Sequence, residues 1–271
     1  MSTIRNRMTK LNGGTPISDG PFRNGSMYLT YTNEGMPIGA FWGYKTDGLI
    51  QTQEQLNAVK RADFQPNAEL GDVLFVDTNG DGKLDSSDRC MIGNPIPDII
   101  YGINMGMAWK GFDLNLQFGG TIGNQIFNAM RYYTYFPNDI TNKDRALMNY
   151  WTPNNTNTDI PRLTATDVND NDRFSDMYVE NGTYFRLRNA QLGYTLPASL
   201  TQRIKLQKVR FYVSGQNLFT ISSYSGMDPE VGQSSSLSRG IDYGIYPQNI
   251  SFTGGINAVS YTHLTLPTIR L

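Results

Sequence analysis

The stretch Ile99-Ile-Tyr-Gly-Ile-Asn-Met-Gly-Met-Ala-Trp-Lys-Gly-Phe-Asp-Leu-Asn-Leu-Gln-Phe118 decides the fold. Ile99, Tyr101, Ile103, Met105, Met107 and Trp109 hold the odd positions. Ile100, Gly102, Asn104, Gly106 and Ala108 fall between them, small or polar apart from Ile100. After Lys110-Gly111 the apolar phase moves to Phe112, Leu114, Leu116 and Phe118, with Asp113, Asn115 and Gln117 between. Successive strand side chains point to opposite faces, so each half has one apolar and one polar side. A two-residue turn at Lys110-Gly111 sets Trp109 opposite Phe112, Met107 opposite Leu114, Met105 opposite Leu116 and Ile103 opposite Phe118. Every apolar residue then lands on one side of the ribbon. The stretch reads as a membrane-spanning β-hairpin.

Working outward, residues 250–258 and 208–220 alternate in the same way. Residues 184–196 alternate with a change of phase near Arg188-Asn189, as one bulged residue would cause. Residues 2–11 read as the end of a further strand. The links are unequal. Lys110-Gly111 is a tight turn, and residues 197–207 are a short link with room for one helical turn. Residues 12–98, 122–183 and 222–249 are long and rich in Asn, Asp, Gly, Pro and Tyr. In up-and-down order, all short links fall on one side and all long links on the other. Outer-membrane barrels have short periplasmic turns and long external loops. Each strand is also close to the ~9–11 residues of a tilted membrane strand.

Bulk composition agrees. Charged residues are 17% of the 271, against about 25% in soluble domains. Lys plus Arg is 23 and Asp plus Glu is 24. That balance, with no basic stripe, gives no footing for nucleic acid. Cys90 is the one cysteine, so an intrachain disulfide and a Cys-based metal site are excluded. His263, the one histidine, lies in a tail that breaks the pattern before it, which gives no footing for a Ser-His-Asp triad or a histidine metal site. No apolar run reaches the ~20 residues of a helical span. The first residues lack the apolar core of a signal peptide.

Two segments carry candidate chemistry. Asp77-Thr-Asn79-Gly-Asp81-Gly82-Lys83-Leu-Asp85-Ser-Ser-Asp88 follows the D-x-[DN]-x-[DN]-G calcium-loop pattern, with Asp in place of Glu at the last position. Asp77, Asn79 and Asp81 place oxygens at alternate positions, Gly82 allows the sharp turn, and Lys83 offers its carbonyl. Asp85 acts through water, and Asp88 closes the shell around Ca²⁺. The other reading is an Asx- and Gly-rich loop that turns without metal. Tyr132, Tyr133, Tyr135 and Phe136 form an aromatic cluster in an external loop, suited to stacking on a sugar or lining a peptide pocket. Its bland reading is loop packing. Asp167-Val-Asn-Asp-Asn-Asp172 lacks the glycine and spacing of a metal loop and reads as a solvated segment. Arg186 and Arg188 are expected to face the lumen or the plug, where charge is tolerated.

These segments resemble the C-terminal part of the SusC/RagA family of TonB-linked outer-membrane transporters. The resemblance is carried by Gly35-Met-Pro-Ile-Gly-Ala-Phe-Trp-Gly-Tyr44, Asp47-Gly-Leu-Ile-Gln51, Gly71-Asp72 leading to Asp77-Thr-Asn-Gly-Asp-Gly82, and Ile92-Gly-Asn-Pro95. It continues through Tyr101-Gly-Ile-Asn104, Tyr184-Phe-Arg-Leu-Arg-Asn189, Leu192-Gly-Tyr194, Gln216-Asn-Leu-Phe-Thr220 and Gly226-Met-Asp-Pro-Glu230. It implies an all-β fold: about the last six strands of a barrel of roughly 22 with a plugged lumen, with long extracellular loops. It implies localisation in the outer membrane, import of glycans or peptides, a SusD-like surface lipoprotein as partner, and TonB coupling through N-terminal parts with no counterpart here. Residues 1–259 are assigned to this barrel portion. Residues 260–271 break the alternation, contain Pro267, lack the family's terminal aromatic residue, and read as a non-native tail.

The expected function is therefore a nutrient importer that performs no covalent catalysis. The alternative is a secreted, soluble calcium-binding β module, an adhesin or carbohydrate binder. A glycan hydrolase would need two carboxylates at a set separation across a cleft, and no such pair can be nominated. The importer reading requires Tyr101, Ile103, Met105, Leu114, Leu116, Phe211, Val213, Phe252 and Ile256 to face outward with no protein over them. It also leaves two strand edges unpaired, so the chain alone is expected to be poorly stable.

Overall fold

The computed structural model describes residues 1–136, 142–232 and 235–260. The tail beyond residue 260 thus lies outside the described residues. A six-stranded antiparallel sheet runs in the order Ser2–Thr3, Ile99–Trp109, Phe112–Ile122, Tyr184–Thr195, Lys208–Ser222 and Ser251–Val259. Neighbours in space are neighbours in sequence, except where the long connections intervene. Among the described residues the sheet does not close on itself: Ser251–Val259 has one neighbour, and most of Ile99–Trp109 has one.

The central hairpin has the register its alternation implies. Trp109 pairs with Phe112, Met107 with Leu114, Met105 with Leu116 and Ile103 with Phe118. The turn residues Lys110 and Gly111 have φ of 46° and 88°. Two positive φ values in a two-residue loop match the right-handed twist of the strands it joins. A Cβ at Gly111 would also stand 2.9 Å from the Thr195 carbonyl oxygen.

The bulge in Tyr184–Thr195 lies between Leu187 and Asn189, against both neighbouring strands. It moves the apolar set from Phe185 and Leu187 to Ala190, Leu192 and Tyr194. On the facing strand Asn217 turns left-handed, with φ 52°, at the same level. The link after Thr195 is one short helix, Ala198–Thr201, followed by a 3-10 turn, Gln202–Ile204.

The expected strand over residues 2–11 is cut short. Only Ser2–Thr3 pairs with the sheet. After the Ile4 amide reaches the Asp98 carbonyl, the chain turns toward residues 33–36. There Met8 exchanges backbone hydrogen bonds with Gly35 and Met36, and the Leu11 amide donates to Glu34.

The long connections fold into structure of their own, with the described interior. Strands Ile17–Phe22, Met27–Thr32, Ala40–Gly43 and Cys90–Gly93 form a four-stranded sheet. Gln125–Asn128 joins Val179–Asn181 and Ile241–Asp242 in a second small sheet, and Thr46–Leu49 pairs with Val73–Phe75. Phe22, Leu29, Phe41, Phe127, Tyr132, Phe174, Tyr178 and Ile241 pack into one core, while Leu49, Phe64, Val73, Phe75 and Trp151 form another. The helix Gln53–Arg61 opens on a capping box: the Thr52 side chain accepts from the Gln55 amide, and Gln55 bonds back to Thr52. No helix among the described residues is long and apolar enough to cross a membrane.

Candidate functional site

Register stacks the apolar side chains of the large sheet into continuous rows. One row is Trp109, Phe112, Tyr194, Phe211 and Ile256; the next is Met107, Leu114, Leu192, Val213 and Gly254. A third is Met105, Leu116, Ala190, Gly215 and Phe252, and a fourth runs Ile103, Phe118, Leu187 and Phe219. Among the described residues the first three rows lie open, and in the fourth Ile103 and Phe219 are exposed while Leu187 is buried. Trp109 is 66% exposed, Met107 65%, Val213 59% and Phe252 79%. Leu114, Leu116 and Tyr101 on the same face are half-buried. A face this large and apolar marks a partner surface or a membrane.

The face is also banded. Aromatic residues form the row beside the Lys110-Gly111 turn. Near the far ends a second aromatic group gathers, with Phe118 and Phe185 stacked at 5.1 Å and Phe219 6.3 Å from Phe185. Between them the sheet is mostly aliphatic. Aromatic girdles flanking an apolar band are the signature of a barrel wall in lipid. The whole strand Ile99–Trp109 runs about 34 Å at ~3.4 Å per residue, which at a barrel tilt of ~40° spans about 26 Å, the height of such a band. The central hairpin's alternation carries this banding too: Tyr101 and Trp109 bracket Ile103, Met105 and Met107, and Phe112 and Phe118 bracket Leu114 and Leu116.

The opposite face is polar. Asp113, Gln191 and Arg210 meet there, with Arg210 Nε donating to Asp113 Oδ1 at 2.8 Å. Higher on the same face Arg186 is buried, donating to Glu230 at 2.9 Å, to Asp228, and to the Thr220 hydroxyl at 2.8 Å. Arg188 donates to Glu230 and to the Tyr184 hydroxyl, each at 3.1 Å. Both arginines lie on the polar face, opposite the apolar rows, tied to the acidic segment at residues 228–230. Burial pushes the Asp228 carboxyl up, but the Gln248 and Glu230 amides and the Arg186 guanidinium outweigh it, leaving it below the usual carboxylate range.

The acidic loop is held by its own backbone. Asp77 accepts from the Gly80 amide at 2.6 Å and the Gly82 amide at 2.9 Å. Asn79 accepts from Asp81, and Asp81 from Lys83, both at 2.8 Å. Asp85 accepts from the Ser87 amide at 2.7 Å. Asp88 is buried and accepts from the amides of Thr78 and Asp85 at 3.0 Å. The Gly82 amide above all holds the Asp77 carboxyl below its usual range, and the Ser87 hydroxyl and amide do the same for Asp85. Among the described residues no three His, Cys, Asp or Glu side chains gather as a metal cluster. The donor types suit a hard cation, and ionised carboxylates keep lone pairs beyond those used here. The arrangement itself is complete as an Asx-turn loop.

The aromatic cluster divides. Tyr132 belongs to the core, 5.0 Å edge-on from both Phe22 and Tyr178, and its hydroxyl donates to the Asp172 carbonyl at 2.9 Å. Burial raises its pKa. Tyr133 packs against the same core. Tyr135 and Phe136 line a narrow cleft with Arg131, whose guanidinium lies 5.1 Å over the Tyr135 ring. Asn128 caps their helix, Ala129–Tyr135, by accepting from the Arg131 amide.

No family model matches the chain. It is 37% identical over 268 residues to TonB-dependent receptor P3 of Formosa agariphila, covering 94% of this chain and 26% of that protein. It is 29% identical over 195 residues to TonB-dependent receptor SusC of Bacteroides thetaiotaomicron, covering 72% of this chain and 18% of SusC. Among solved structures it is similar to the RagAB peptide importer in its open-open state, with a TM-score of 0.68, 26% identity, and coverage of 94% of this chain and 25% of that one. The chain thus spans about a quarter of the length of the curated receptor P3. Sequence, sheet and outward-facing girdle agree: the chain belongs to the SusC/RagA family of TonB-dependent outer-membrane receptors.

Proposed function

We propose that the chain supplies part of the wall and outer loops of a nutrient importer. The six-stranded sheet lies in lipid, the polar face lines the lumen, and the folded long connections stand outside. The reading is carried by one observation: among the described residues the apolar rows lie open, with Trp109, Met107, Met105, Val213, Phe211, Phe252 and Ile256 all exposed. Import would draw on TonB through parts of the receptor beyond this chain. A SusD-like lipoprotein is the partner proposed for the outer surface, with an oligosaccharide or peptide as cargo; the likeness to the RagAB peptide importer supports the peptide option. The steps are binding and conformational change, with no covalent chemistry assigned to any residue.

Spin-label accessibility tests the sheet. Cys90 is replaced by serine, and single cysteines at Met107, Val213, Asn115 and Ser214 are labelled in vesicles. Labels at Met107 and Val213 should relax with oxygen, and those at Asn115 and Ser214 with a water-soluble nickel chelate. Equal nickel access on both faces would overturn the assignment.

A secondary proposal is that Asp77, Asn79, Asp81, the Lys83 carbonyl, Asp85 and Asp88 hold Ca²⁺. The alternate-residue hydrogen-bond ladder supports it, because that ladder fixes these side chains around one turn. The ion would stiffen an external loop.

A further inference from the structure

We propose that the wall binds an anionic phospholipid of the periplasmic leaflet, its acyl chain lying in a trough on the apolar face and its phosphate held by Lys110, Arg203 and Lys205 at the trough's foot. The inference rests on the lipid-facing reading of the sheet and names the class of lipid that the wall selects.

The trough is a gap between large side chains. Phe112, Leu192, Phe211, Val213, Gly254 and Ile256 enclose about 450 Å³ on the apolar face. Leu192, Val213 and Gly254 also line the next depression, of about 400 Å³, which reaches Ala190, Gly215 and Phe252. The shared residues make the two one trough along the strands. Small residues open it: Ala190 pairs with Gly215, and Gly254 with Val213. A Cβ at Gly254 would meet only the Tyr212 carbonyl oxygen, at 3.9 Å, so the space above it is free. From Ile256 to Phe252 the trough runs about 14 Å at ~3.4 Å per residue. At a tilt of ~40° it climbs about 10 Å of the roughly 15 Å that one leaflet gives to a ~30 Å core. It is continuous with the lipid-facing wall, and it starts at the aromatic row beside the Lys110-Gly111 turn.

The charge at its foot sets the headgroup. That turn and the link 197–207 are the short connections, so this end of the sheet is periplasmic. Lys110 Nζ lies 4.8 Å from the centre of the Trp109 ring, which puts an ammonium at the outward aromatic row. Residues 196–209 contain Arg203, Lys205 and Lys208 and no Asp or Glu. Lys208 shares the polar-face parity of Arg210. Arg203 and Lys205 are exposed and form no ion pair among the described residues. The acid on the neighbouring strand, Asp113, is taken by Arg210. Leu200 and Ile204, four residues apart on the helical link, are 49% and 60% exposed. Open apolar side chains beside unneutralised cations suit the boundary between headgroups and acyl chains. A lipid of net negative charge gains from these cations, whereas a phosphatidylcholine carries its own cation and gains less.

Trp109 reports the site. The chain is reconstituted in phosphatidylcholine vesicles containing a minor fraction of phosphatidylglycerol or phosphatidylcholine brominated near the headgroup end of its chains. Subtracting the Trp109→Phe protein isolates the quenching of Trp109. Brominated phosphatidylglycerol should reach half-maximal quenching at about fivefold lower mole fraction or less, the weight of one basic residue at a membrane surface. The Lys110→Gln/Arg203→Gln/Lys205→Gln variant should lose that preference. Gly254→Leu fills the trough without a clash and should lose it too, because a lipid whose chain cannot lie there cannot bring its phosphate to the cations. Arg61→Gln, in the outer helix, should keep it, and circular dichroism checks each fold. Equal quenching by the two brominated lipids, or a preference retained in either the triple variant or Gly254→Leu, would overturn the proposal and leave the wall in lipid. Quenching that falls as protein is packed more densely in the vesicle would put a second copy in the trough and overturn it as well. No quenching of Trp109 by either lipid would instead sink the lipid-facing reading itself.

Discussion

Arg210 and Asp113 lie on strands that are not neighbours, yet they form a two-pronged ion pair across the strand between them. Gly193 on that middle strand makes the crossing possible. A Cβ at Gly193 would sit 2.4 Å from Arg210 Nη2. The guanidinium therefore lies flat on bare backbone and ties three strands together. Gly193→Leu should displace the arginine and cost about 1–3 kcal/mol, as overfilled sites do. Arg210→Ala and Asp113→Ala should be coupled by roughly 0.5–3 kcal/mol in a double-mutant cycle. Urea titration of the chain refolded in vesicles reads both.

The two faces of one strand should respond oppositely to charge. Val213 is 59% exposed on the apolar side, and Ser214 follows on the polar side. Val213→Arg should cost about 2–4 kcal/mol near the bilayer midplane. Ser214→Arg should cost little. Equal costs in the same titration would mean that the apolar side does not face lipid.

Arg186 latches the outer connection to the wall. It is 2% exposed and bonds Asp228 and Glu230, which lie in the segment after the strand Lys208–Ser222. Removing it leaves the Asp228 carboxylate buried without its cation, while Glu230 keeps Arg188, and Arg186→Ala should cost about 3–5 kcal/mol. The pH response follows from Asp228. Its folded pKa is depressed, so its contribution is complete above the ordinary value of ~3.9 and is lost as pH falls through the lower folded value. Hydrogen exchange of residues 223–232 should accelerate in that acid window, and Asp228→Asn should abolish the pH dependence.

The large sheet is legible in the sequence because a period of two survives along each strand, and one side of it meets a uniform solvent. The bulge at Arg188 is legible as a phase change. The outer cores are not legible, because they draw on residues as distant as Phe22 and Ile241, each in a segment too short to show a period. The strand read over residues 2–11 fails for a related reason: Met8 and Leu11 find partners in residues 33–36 and not in the sheet. Of the candidate site residues, the acidic loop is legible as a turn because its Asx–Gly spacing dictates the hydrogen bonds. Tyr132 is indistinguishable in sequence from Tyr135, and only tertiary packing buries the first and leaves the second beside a cleft.

The acidic loop separates two accounts that share the same residues. If its hydrogen bonds suffice, calcium adds nothing, and Asp77→Ala loosens the loop by removing the acceptor for Gly80 and Gly82. If calcium binds, the depressed pKa of Asp77 and Asp85 keeps both carboxylates ionised well into acid, so binding should persist at mildly acidic pH. The expected outcome is calcium heat at neutral pH that is retained near pH ~5, above the ordinary carboxylate range, and lost in Asp77→Ala. Equal heats for the two proteins would remove the ion and leave the Asx turns as the whole explanation of the loop.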